Sequence, residues 1–273
     1  NARLSTYGNY ASRSRAAADF VVGMAFKTDV SARGSKLAIA SQHGIQIHNG
    51  PPAGSNDPYL PNAMAGGARG CAATLMSAPR GSYITPDSKL VVADTENHRV
   101  LIWNRVPDAG QMGAADVVVG QPRMDHCVSN DDDEDGTPDR TPTARTLHDP
   151  ISVWSDGKRL VVADRSNHRL LIWNRLPSSN FQPADHVIGQ ADFRGAAANA
   201  GLPSASATTL SRPLGVDVNE FGQVAVADRD NHRVLLWDSF PTSNGQAADQ
   251  VVGQTDFSQN ALRVTPTAQT LPT

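Results

Sequence analysis

The chain alternates short apolar runs with turn-forming residues, and runs with helical spacing are scarce. Val, Ile, Leu and Trp fill segments such as LVVAD and RVLIW, and Asp, Asn, Gly or Pro stand between them. The apolar residues are those that fit extended strands, while the joints favour turns. The 22 glycines and 18 prolines, against 5% aromatic residues, add to the turn signal. The pattern predicts an all-β fold.

One segment occurs in three well-matched copies, at 89–107, 159–177 and 223–241, and in a degenerate fourth copy at 36–52. Asp, Asn, Arg and Trp align in the three good copies, so the chain is built from repeats. The aligned Asp, Asn and Arg residues are Asp94, Asn97 and Arg99, then Asp164, Asn167 and Arg169, then Asp228, Asn231 and Arg233.

A second element trails each copy: ADVVVGQ from Ala115, ADHVIGQ from Ala184 and ADQVVGQ from Ala248. Weaker forms are ADFVVGM from Ala18 and NDPYLPN from Asn56. With the LVVAD and RVLIW runs and an apolar run before them, each unit reads as four strands, a to d. A four-stranded sheet cannot cover its own faces, so neighbouring units must stack. Such units repeated around an axis form a β-propeller.

We therefore predict one domain, 1–273, with four complete antiparallel four-stranded blades and a c–d half blade at the N-terminus, possibly part of a larger propeller. The half blade follows from Tyr7, which aligns with the repeat tryptophan and has the same spacing to Asp19 as Trp173 has to Asp185. The predicted segments are the half blade 1–23, the blades 24–63, 78–121, 150–190 and 213–254, an inserted acidic loop 122–149, and the start of a further d–a loop at 255–273.

The D-x-x-N-H-R-V block resembles the NHL repeat, and the ADxVVGQ-xDF unit is similar to a form common in bacterial exported proteins. The resemblance implies a propeller and says little about activity. Some NHL-fold lyases use metal-bound His and a catalytic Arg, so a metal-dependent lyase is one alternative. His98, His168 and His232, however, fall in the b–c turn beside the same Asp and Arg in every copy, which favours a structural role. We expect no catalytic residues and no enzyme activity.

The repeated side chains have structural interpretations. Asp94 can accept turn N–H groups or pair with Arg99 on the returning strand. Asn97 tolerates the left-handed conformation that a tight turn needs. The repeat tryptophans are expected to pack between blades. Trp154 lies on a predicted strand a, where it belongs either to that packing or to the wall of the axial channel.

The longest loop contains NDDDEDGTPD at 130–139, which matches D-x-D-x-D-G-x-x-D. Alternating carboxylates with a glycine at the sharp turn suit Ca²⁺. The loop resembles those of thrombospondin type 3 repeats and dockerins and the first half of an EF-hand, although Pro142 stands where an EF-hand has its bidentate Glu. The other interpretation is a solvated acidic run. The candidate Ca²⁺ ligands are Asp131, Asp133, Asp135 and Asp139.

Cys71 and Cys127 lie at comparable places in the d–a loops of successive blades. A disulfide between adjacent loops would fit an exported protein. Two buried free thiols are the alternative.

The overall charge and hydropathy limit the partners. A formal net charge of −3 argues against nucleic acid, and no apolar run is long enough for a membrane span. In a four-stranded blade the b–c turns and d–a loops emerge on one face, where a binding surface is built. We expect an extracellular, cell-surface or periplasmic module that binds protein or glycan through this face. A structural protein that associates head-to-tail through its blade ends, as a homo-oligomer or fibre, is the other alternative.

Overall fold

The computed structural model describes most of the chain as strands and connecting loops. The described residues are 2–6, 20–24, 27–41, 44–49, 63–66, 69–107, 110–111 and 113–262, and side chains are described at 30–40, 44–49, 69–107 and 113–262.

The described residues form nineteen strands joined by tight turns and longer loops. In chain order they are β1 (Ala2–Thr6), β2 (Phe20–Met24), β3 (Lys27–Arg33), β4 (Lys36–Ser41), β5 (Gly44–Asn49), β6 (Ala63–Gly66), β7 (Gly81–Ile84), β8 (Leu90–Asp94), β9 (Arg99–Trp103), β10 (Gly110–Gln111), β11 (Val117–Val119), β12 (Pro150–Ser155), β13 (Leu160–Asp164), β14 (Arg169–Trp173), β15 (His186–Ile188), β16 (Pro213–Val218), β17 (Val224–Asp228), β18 (Arg233–Trp237) and β19 (Gln250–Val252).

The strands pair as antiparallel meanders, as the repeat predicts. Strands β3 to β6 make blade 1, β7, β8, β9 and β11 make blade 2, β12 to β15 make blade 3, and β16 to β19 make blade 4. Strands β1 and β2 pair antiparallel as the predicted half blade. The short strand β10 lies outside this plan, because it leaves blade 2 to pair in parallel with β6 of blade 1.

The fourth strand of blade 1 differs from the prediction. The segment NDPYLPN, proposed for this strand, lies outside the described residues, and β6 occupies Ala63–Gly66 instead. There β6 pairs with β5 through Ala65 opposite Ile45. The sequence AMAG lacks the β-branched residues of the other outer strands, so residue preference alone does not reveal it.

The blades stack about a common axis, with the first strand of each against its neighbours. Strand β7 contacts β3 and β12, and β12 contacts β16. A separate apolar core fills each gap between adjacent blades. Trp103 lies in the core between blades 1 and 2, Trp173 in the next, and Trp237 in the third, as predicted. The fold is a β-propeller, in which side chains from two neighbouring sheets build every layer of core.

Trp154 belongs to these cores and not to the axial channel. It is 4% exposed and packs between blades 3 and 4, with its ring centroid 6.1 Å from that of Phe240. The guanidinium of Arg159 lies 4.0 Å from the centre of the Phe240 ring and 5.6 Å from that of Trp154. Large aromatic rings are most stabilising in such closed layers.

Serine hydroxyls also join the inner strands of some adjacent blades. Ser31 on β3 accepts a hydrogen bond from the backbone N–H of Ile84 on β7 at 2.8 Å, and Ser152 on β12 accepts one from Val216 on β16 at 3.3 Å. These bonds satisfy backbone groups that face the axis, where no further strand can pair with them. Within the described part of the chain, no helix is both long and apolar enough to cross a membrane.

Candidate functional site

Each good repeat buries an aspartate at the end of its second strand. In blade 2, Asp94 Oδ2 accepts hydrogen bonds from Arg99 Nε at 2.7 Å and Asn97 Nδ2 at 2.8 Å, and its Oδ1 accepts the backbone N–H of Ser77 at 2.7 Å. The charge is neutralised and both carboxylate oxygens are bonded, so burial is tolerated. The same bonds join Asp164 to Arg169, Asn167 and the His148 N–H, and Asp228 to Arg233, Asn231 and the Ser211 N–H.

The repeat arginine ties this turn to two loops. Arg169 Nη2 donates to the carbonyls of Thr143 and Thr146, both at 3.0 Å, in the loop before its own blade. Its Nη1 donates to the Phe193 carbonyl at 2.5 Å, in the loop after the blade. Arg233 repeats this pattern with Ser206, Thr209 and Phe257. All three guanidinium nitrogens of Arg169 donate hydrogen bonds and the residue is 0% exposed, so it holds the loops and is not available to a substrate.

The left-handed residue of the turn is the histidine and not the asparagine. Asn97 belongs to a short 3₁₀ turn, Thr95–Asn97, which ends at His98 with φ of 52°. Asn97 instead bonds Asp94 Oδ2 through its side chain at 2.8 Å. His168 and His232 have φ of 55° and 51°, so the turn has one conformation in all three blades.

The histidine ring then contacts the next blade. His98 Nδ1 accepts a hydrogen bond from the Asp149 backbone N–H at 3.2 Å, and His168 Nδ1 accepts one from Arg212 at 3.0 Å. Burial is the largest cause that lowers the pKa of both histidines, which favours the neutral ring that this bond requires. His98 and His168 thus lie in turns on the loop face and bond the loops that precede the next blades.

His98 also lies near His148 and Asp149, a grouping with metal-ligand chemistry. The potential ligand atoms lie within 4.8 Å of one another. Asp149 Oδ2, however, accepts bonds from Arg165 Nη2 and Ser166 Oγ, both at 2.9 Å. With His98 Nδ1 also occupied, the arrangement is that of a hydrogen-bonded contact between blades 2 and 3.

The turns and the d–a loops share one face, called here the loop face, as predicted. Gln121, at the end of the ADVVVGQ element, donates through Nε2 to the His98 carbonyl at 3.0 Å and the Val128 carbonyl at 2.8 Å. Gln190 bonds the His168 and Ala197 carbonyls in the same way. The glutamine thus connects the turn to the start of the following loop. This role was not predicted, although the glutamine recurs after Gly at 121, 190 and 254, which is a usable signal.

The acidic loop lies on the loop face between blades 2 and 3. It brings together three of the four predicted ligands, because carboxylate oxygens of Asp131, Asp133 and Asp139 lie within 4.8 Å of one another. Asp135 does not join them. Its Oδ1 accepts bonds from the Thr137 N–H at 2.7 Å and the Thr137 hydroxyl at 2.6 Å. A local turn therefore competes for this side chain.

Asp131 is the buried member of the group, at 1% exposure. Its Oδ2 lies 2.8 Å from His126 Nε2 and accepts the Gly136 N–H at 2.9 Å, while Oδ1 accepts the Asp135 N–H at 3.1 Å. Burial acts to raise the pKa of Asp131, but the Gly136 N–H and His126 outweigh it, and the net shift is downward. Asp131 is thus held as a carboxylate at neutral pH.

Asp133 lies at the exposed end of the same group. The Asp135 N–H acts to lower its pKa, yet desolvation and the nearby carboxylates of Asp135 and Asp139 give a net rise in the pKa of Asp133. The rise reflects repulsion between like charges, which a bound cation would relieve. The three carboxylates supply the oxygen ligands that Ca²⁺ prefers, with the rest of its shell left to carbonyls or water.

Two contacts fasten this loop at its base. Cys127, next to His126, forms a disulfide with Cys71, in the loop before blade 2, with Cα atoms 6.1 Å apart. Asn130, next to Asp131, exchanges two 2.9 Å side-chain amide bonds with Asn167 in the turn of blade 3. The acidic group therefore follows directly after a covalent link to the loop before blade 2 and a polar link to blade 3.

A second concave region lies where the inner strands meet. Its volume is about 360 Å³, and its wall includes Arg33, Ser82, Tyr83, Ser152 and Asp217. Desolvation by burial, followed by the charge of Asp217, raises the pKa of Tyr83.

The chain resembles known proteins through its repeat and its fold. The pattern that defines the NHL repeat matches residues 210–235, from the end of the loop before blade 4 into β18. No curated protein sequence matches the chain.

Three solved structures are similar at low sequence identity. A protein of unknown function from Bacteroides caccae has 10% identity and a TM-score of 0.44, over 83% of this chain and 60% of that one. The structure of U3-55K has 10% identity and 0.46, over 78% and 46%. The Mitotic Checkpoint Complex has 11% identity and 0.46, over 84% and 52%. The chain thus spans 46% to 60% of these structures, and the likeness concerns the fold alone.

Proposed function

We propose that this NHL-repeat β-propeller is a non-catalytic binding or scaffold module of an extracellular or cell-surface protein, which contacts protein or glycan through its loop face and is stabilised there by Ca²⁺. The observation that carries the proposal is the acidic loop, which the Cys71–Cys127 disulfide and the Asn130–Asn167 pair hold on a face of firmly bonded loops.

Rigidity supports a binding role. Each buried arginine bonds the loops before and after its blade through several hydrogen bonds, so these loops keep one conformation. A preorganised surface loses less conformational entropy when a partner binds. The side chains with catalytic potential on this face, the repeat arginines and histidines, are used for holding blades together, which supports a non-catalytic role.

The Cys71–Cys127 disulfide supports the proposed extracellular or cell-surface location. Disulfides persist in oxidising compartments and are rare where thiols are kept reduced. Extracellular calcium also reaches the range in which weak, exposed sites fill, with dissociation constants of about 10⁻⁴–10⁻³ M. A site formed by three aspartates, of which Asp133 is exposed, belongs to this weak class.

The calcium part of the proposal is tested by calorimetric titration and by thermal unfolding with and without millimolar Ca²⁺. Wild-type protein should bind one ion and unfold at a higher temperature, because ligand binding stabilises the folded state, by about 0.4–1.4 kcal/mol at 1 mM Ca²⁺ for a Kd of about 10⁻³–10⁻⁴ M. Asp133→Ala and Asp139→Ala should lose both effects. Asp192→Ala, an exposed change in the neighbouring loop, is the matched control and should keep them. Unaltered binding in Asp133→Ala and Asp139→Ala would refute the site.

The binding part is tested separately, on a glycan array and by affinity capture from extracellular fractions. Wild-type protein should retain a partner in Ca²⁺ and release it in chelator, and Asp133→Ala should not retain it. A partner that binds Asp133→Ala equally well, with or without chelator, would place recognition away from the acidic loop. Turnover of a candidate substrate by the wild-type protein would contradict the non-catalytic role.

A further inference from the structure

The entry to blade 3 carries two polar side chains that the repeat does not require. At the entry to each of blades 2 to 4, one residue donates its backbone N–H to the buried repeat aspartate, and the next residue has positive φ and precedes a proline. The repeat therefore fixes the backbone at these two places and leaves the side chains open. They are Ser77 and Ala78 in blade 2, His148 and Asp149 in blade 3, and Ser211 and Arg212 in blade 4.

The His148–Asp149 pair meets the turn histidine of blade 2. The rings of His98 and His148 make an edge-to-face contact, with centroids 5.3 Å apart. His98 Nδ1 lies 3.4 Å from Asp149 Oδ1, and one nitrogen of each ring and one carboxylate oxygen all lie within 4.8 Å of one another. At the next junction the turn histidine, His168, meets Arg212 where His98 meets an aspartate. The group of three is therefore particular to the junction of blades 2 and 3.

Two imidazoles and one carboxylate form a ligand set typical of Zn²⁺. Zn²⁺ binds such atoms at about 2.0–2.2 Å in a tetrahedron, whose edges are then about 3.3–3.6 Å long. The 3.4 Å between His98 Nδ1 and Asp149 Oδ1 equals such an edge. The ring of His148 needs to approach by about 1.5 Å at most, which rotation about its side-chain bonds supplies. The two nitrogen ligands disfavour Ca²⁺ and Mg²⁺, which prefer oxygen.

The carboxylate of Asp149 is held in orientation by residues behind it. Its Oδ2 accepts hydrogen bonds from Arg165 Nη2 and Ser166 Oγ, both at 2.9 Å, while its Oδ1 is the oxygen 3.4 Å from His98. Carboxylates that bind metals usually have such outer partners, because these fix the ligand in its binding orientation. The guanidinium also offsets part of the carboxylate charge, so the site should hold an exchangeable ion of moderate affinity.

The hydrogen bonds of this junction compete little with a metal ion. The ring of His148 makes no hydrogen bond with a residue that the structure describes. His98 Nδ1 accepts the Asp149 N–H at 3.2 Å, at the long end of the usual range, and a metal would replace this one bond. The side chains of His98 and Asp149 are 18% and 23% exposed, so an ion can enter from the loop face and water can bond the released N–H.

We propose that His98, His148 and Asp149 bind Zn²⁺, or another ion of its class, which joins the turn of blade 2 to the entry of blade 3. The chain supplies three ligands, and water or a group of a bound partner completes the tetrahedron. Because the ligands come from two blades, the unfolded chain does not offer this site, and the ion stabilises the folded state. The site shares no ligand with the acidic loop and does not depend on the proposed function.

Calorimetric titration of chelator-treated protein with Zn²⁺ tests the proposal, in millimolar Ca²⁺ so that the two metals are kept apart. Wild-type protein should bind one ion. His148→Ser and Asp149→Ala each place in blade 3 the side chain that blade 2 has there, so folding is retained. Each should weaken binding by about tenfold or more, since the loss of an outer partner alone often costs as much. His98→Asn should do the same, and Asn tolerates the left-handed conformation of this turn. His168→Asn is the matched control and should bind as the wild-type protein does.

Thermal unfolding gives a second readout. Zn²⁺ should raise the midpoint of the wild-type protein and of Asp133→Ala, and should leave unchanged that of the double variant His148→Ser with Asp149→Ala. Wild-type protein that binds no Zn²⁺ would overturn the proposal, and so would undiminished binding in the double variant. Loss of binding in Asp133→Ala would also overturn it, because the ion would then lie in the acidic loop beside His126 and Asp131.

Discussion

The loops at 122–149 and 191–212 begin and end alike and differ in between. Each directly follows a glutamine, Gln121 or Gln190, that bonds the carbonyl of the preceding turn histidine. Each then sends an asparagine to the turn of the following blade, through the pairs Asn130–Asn167 and Asn199–Asn231. Each ends at a Thr-Leu pair whose leucine packs against the glycine that closes the preceding outer strand. The repeat therefore specifies both ends of a loop.

The middle of each loop is individual. The first holds the disulfide, the His126–Asp131 pair and the acidic group. The second holds a short 3₁₀ segment, Ala198–Gly201, in which Asn199 and Ala200 have positive φ. Because the repeat fixes only the ends of each loop, the residues between them can vary. One loop can therefore carry a binding site while the next only connects two blades, with the same fold.

Loss of the anchor that the two loops share should have the largest effect. Arg169 bonds Thr143 and Thr146 of the first loop and Phe193 of the second. Arg169→Met leaves Asp164 buried with its charge unpaired, so we expect a loss of about 3–5 kcal/mol in the free energy of unfolding, measured in urea. Arg175→Met, at an exposed residue of the same blade, should cost less than about 0.5 kcal/mol.

The double variant Asp164→Asn with Arg169→Met shows where this loss arises. If the unpaired carboxylate is responsible, the double variant is more stable than Arg169→Met alone. A double variant as unstable as the sum of the single changes would instead assign the loss to the loop carbonyls that Arg169 bonds.

Loss of the disulfide should affect the loop 122–149 and leave the loop 191–212 unchanged, because only the first contains a cysteine. Cys71 and Cys127 close a segment with a sequence separation of 56. The double change to Ser should lower the free energy of unfolding by about 2–4 kcal/mol through the gain in unfolded-chain entropy. Reductant should have the same effect on the wild-type protein and none on the double variant. Hydrogen exchange should rise in 122–149 and remain unchanged in 191–212, and an equal rise in both would show that the loops are not independently held.

Much of the fold was predictable because it is local and repeated. The Asp94–Arg99 pair, the four-stranded units and the position of Trp173 between blades follow from spacing and residue type, and the structure has all three. The outer strand at Ala63–Gly66 was not predictable in the same way, because its sequence has low strand preference and its place is set by pairing with β5.

Contacts between blades were the hardest part to predict. Asn180 bonds the outer strand of the preceding blade, at a residue 62 positions earlier in the sequence. The equivalent residue of blade 2 is Gly110, which has no side chain, so comparison of the repeats does not reveal this contact. The candidate calcium group was predicted as a set, but not in its detail. Asp135 bonds Thr137 and does not point at the other three carboxylates. His126 contacts Asp131, although the calcium-loop motif does not include a histidine.

Acid should have the smallest effect on the free energy of unfolding. It should weaken the contact of His168 with its following loop more than the contact of His98. Burial is the first cause that lowers the pKa of both His98 and His168, but Asp149 acts to raise the pKa of His98 whereas Arg212 lowers that of His168. A folded-state pKa below the unfolded value means that stability is complete above pH of about 6.5 and falls as the pH drops through the folded value.

Protonation removes the Nδ1 acceptor from the bonds to the backbone N–H groups of Asp149 and Arg212. At His98 the largest charge effect is the compensating carboxylate of Asp149, whereas at His168 the opposing Arg212 cation comes before the compensating carboxylates of Asp230 and Asp164. We therefore expect His168→Gln to remove more of the loss of stability between pH 7.5 and pH 5 than His98→Gln does, as measured by urea unfolding at both pH values. An equal reduction in the two variants would mean that Asp149 and Arg212 do not set the difference, and that the two histidines act only through burial.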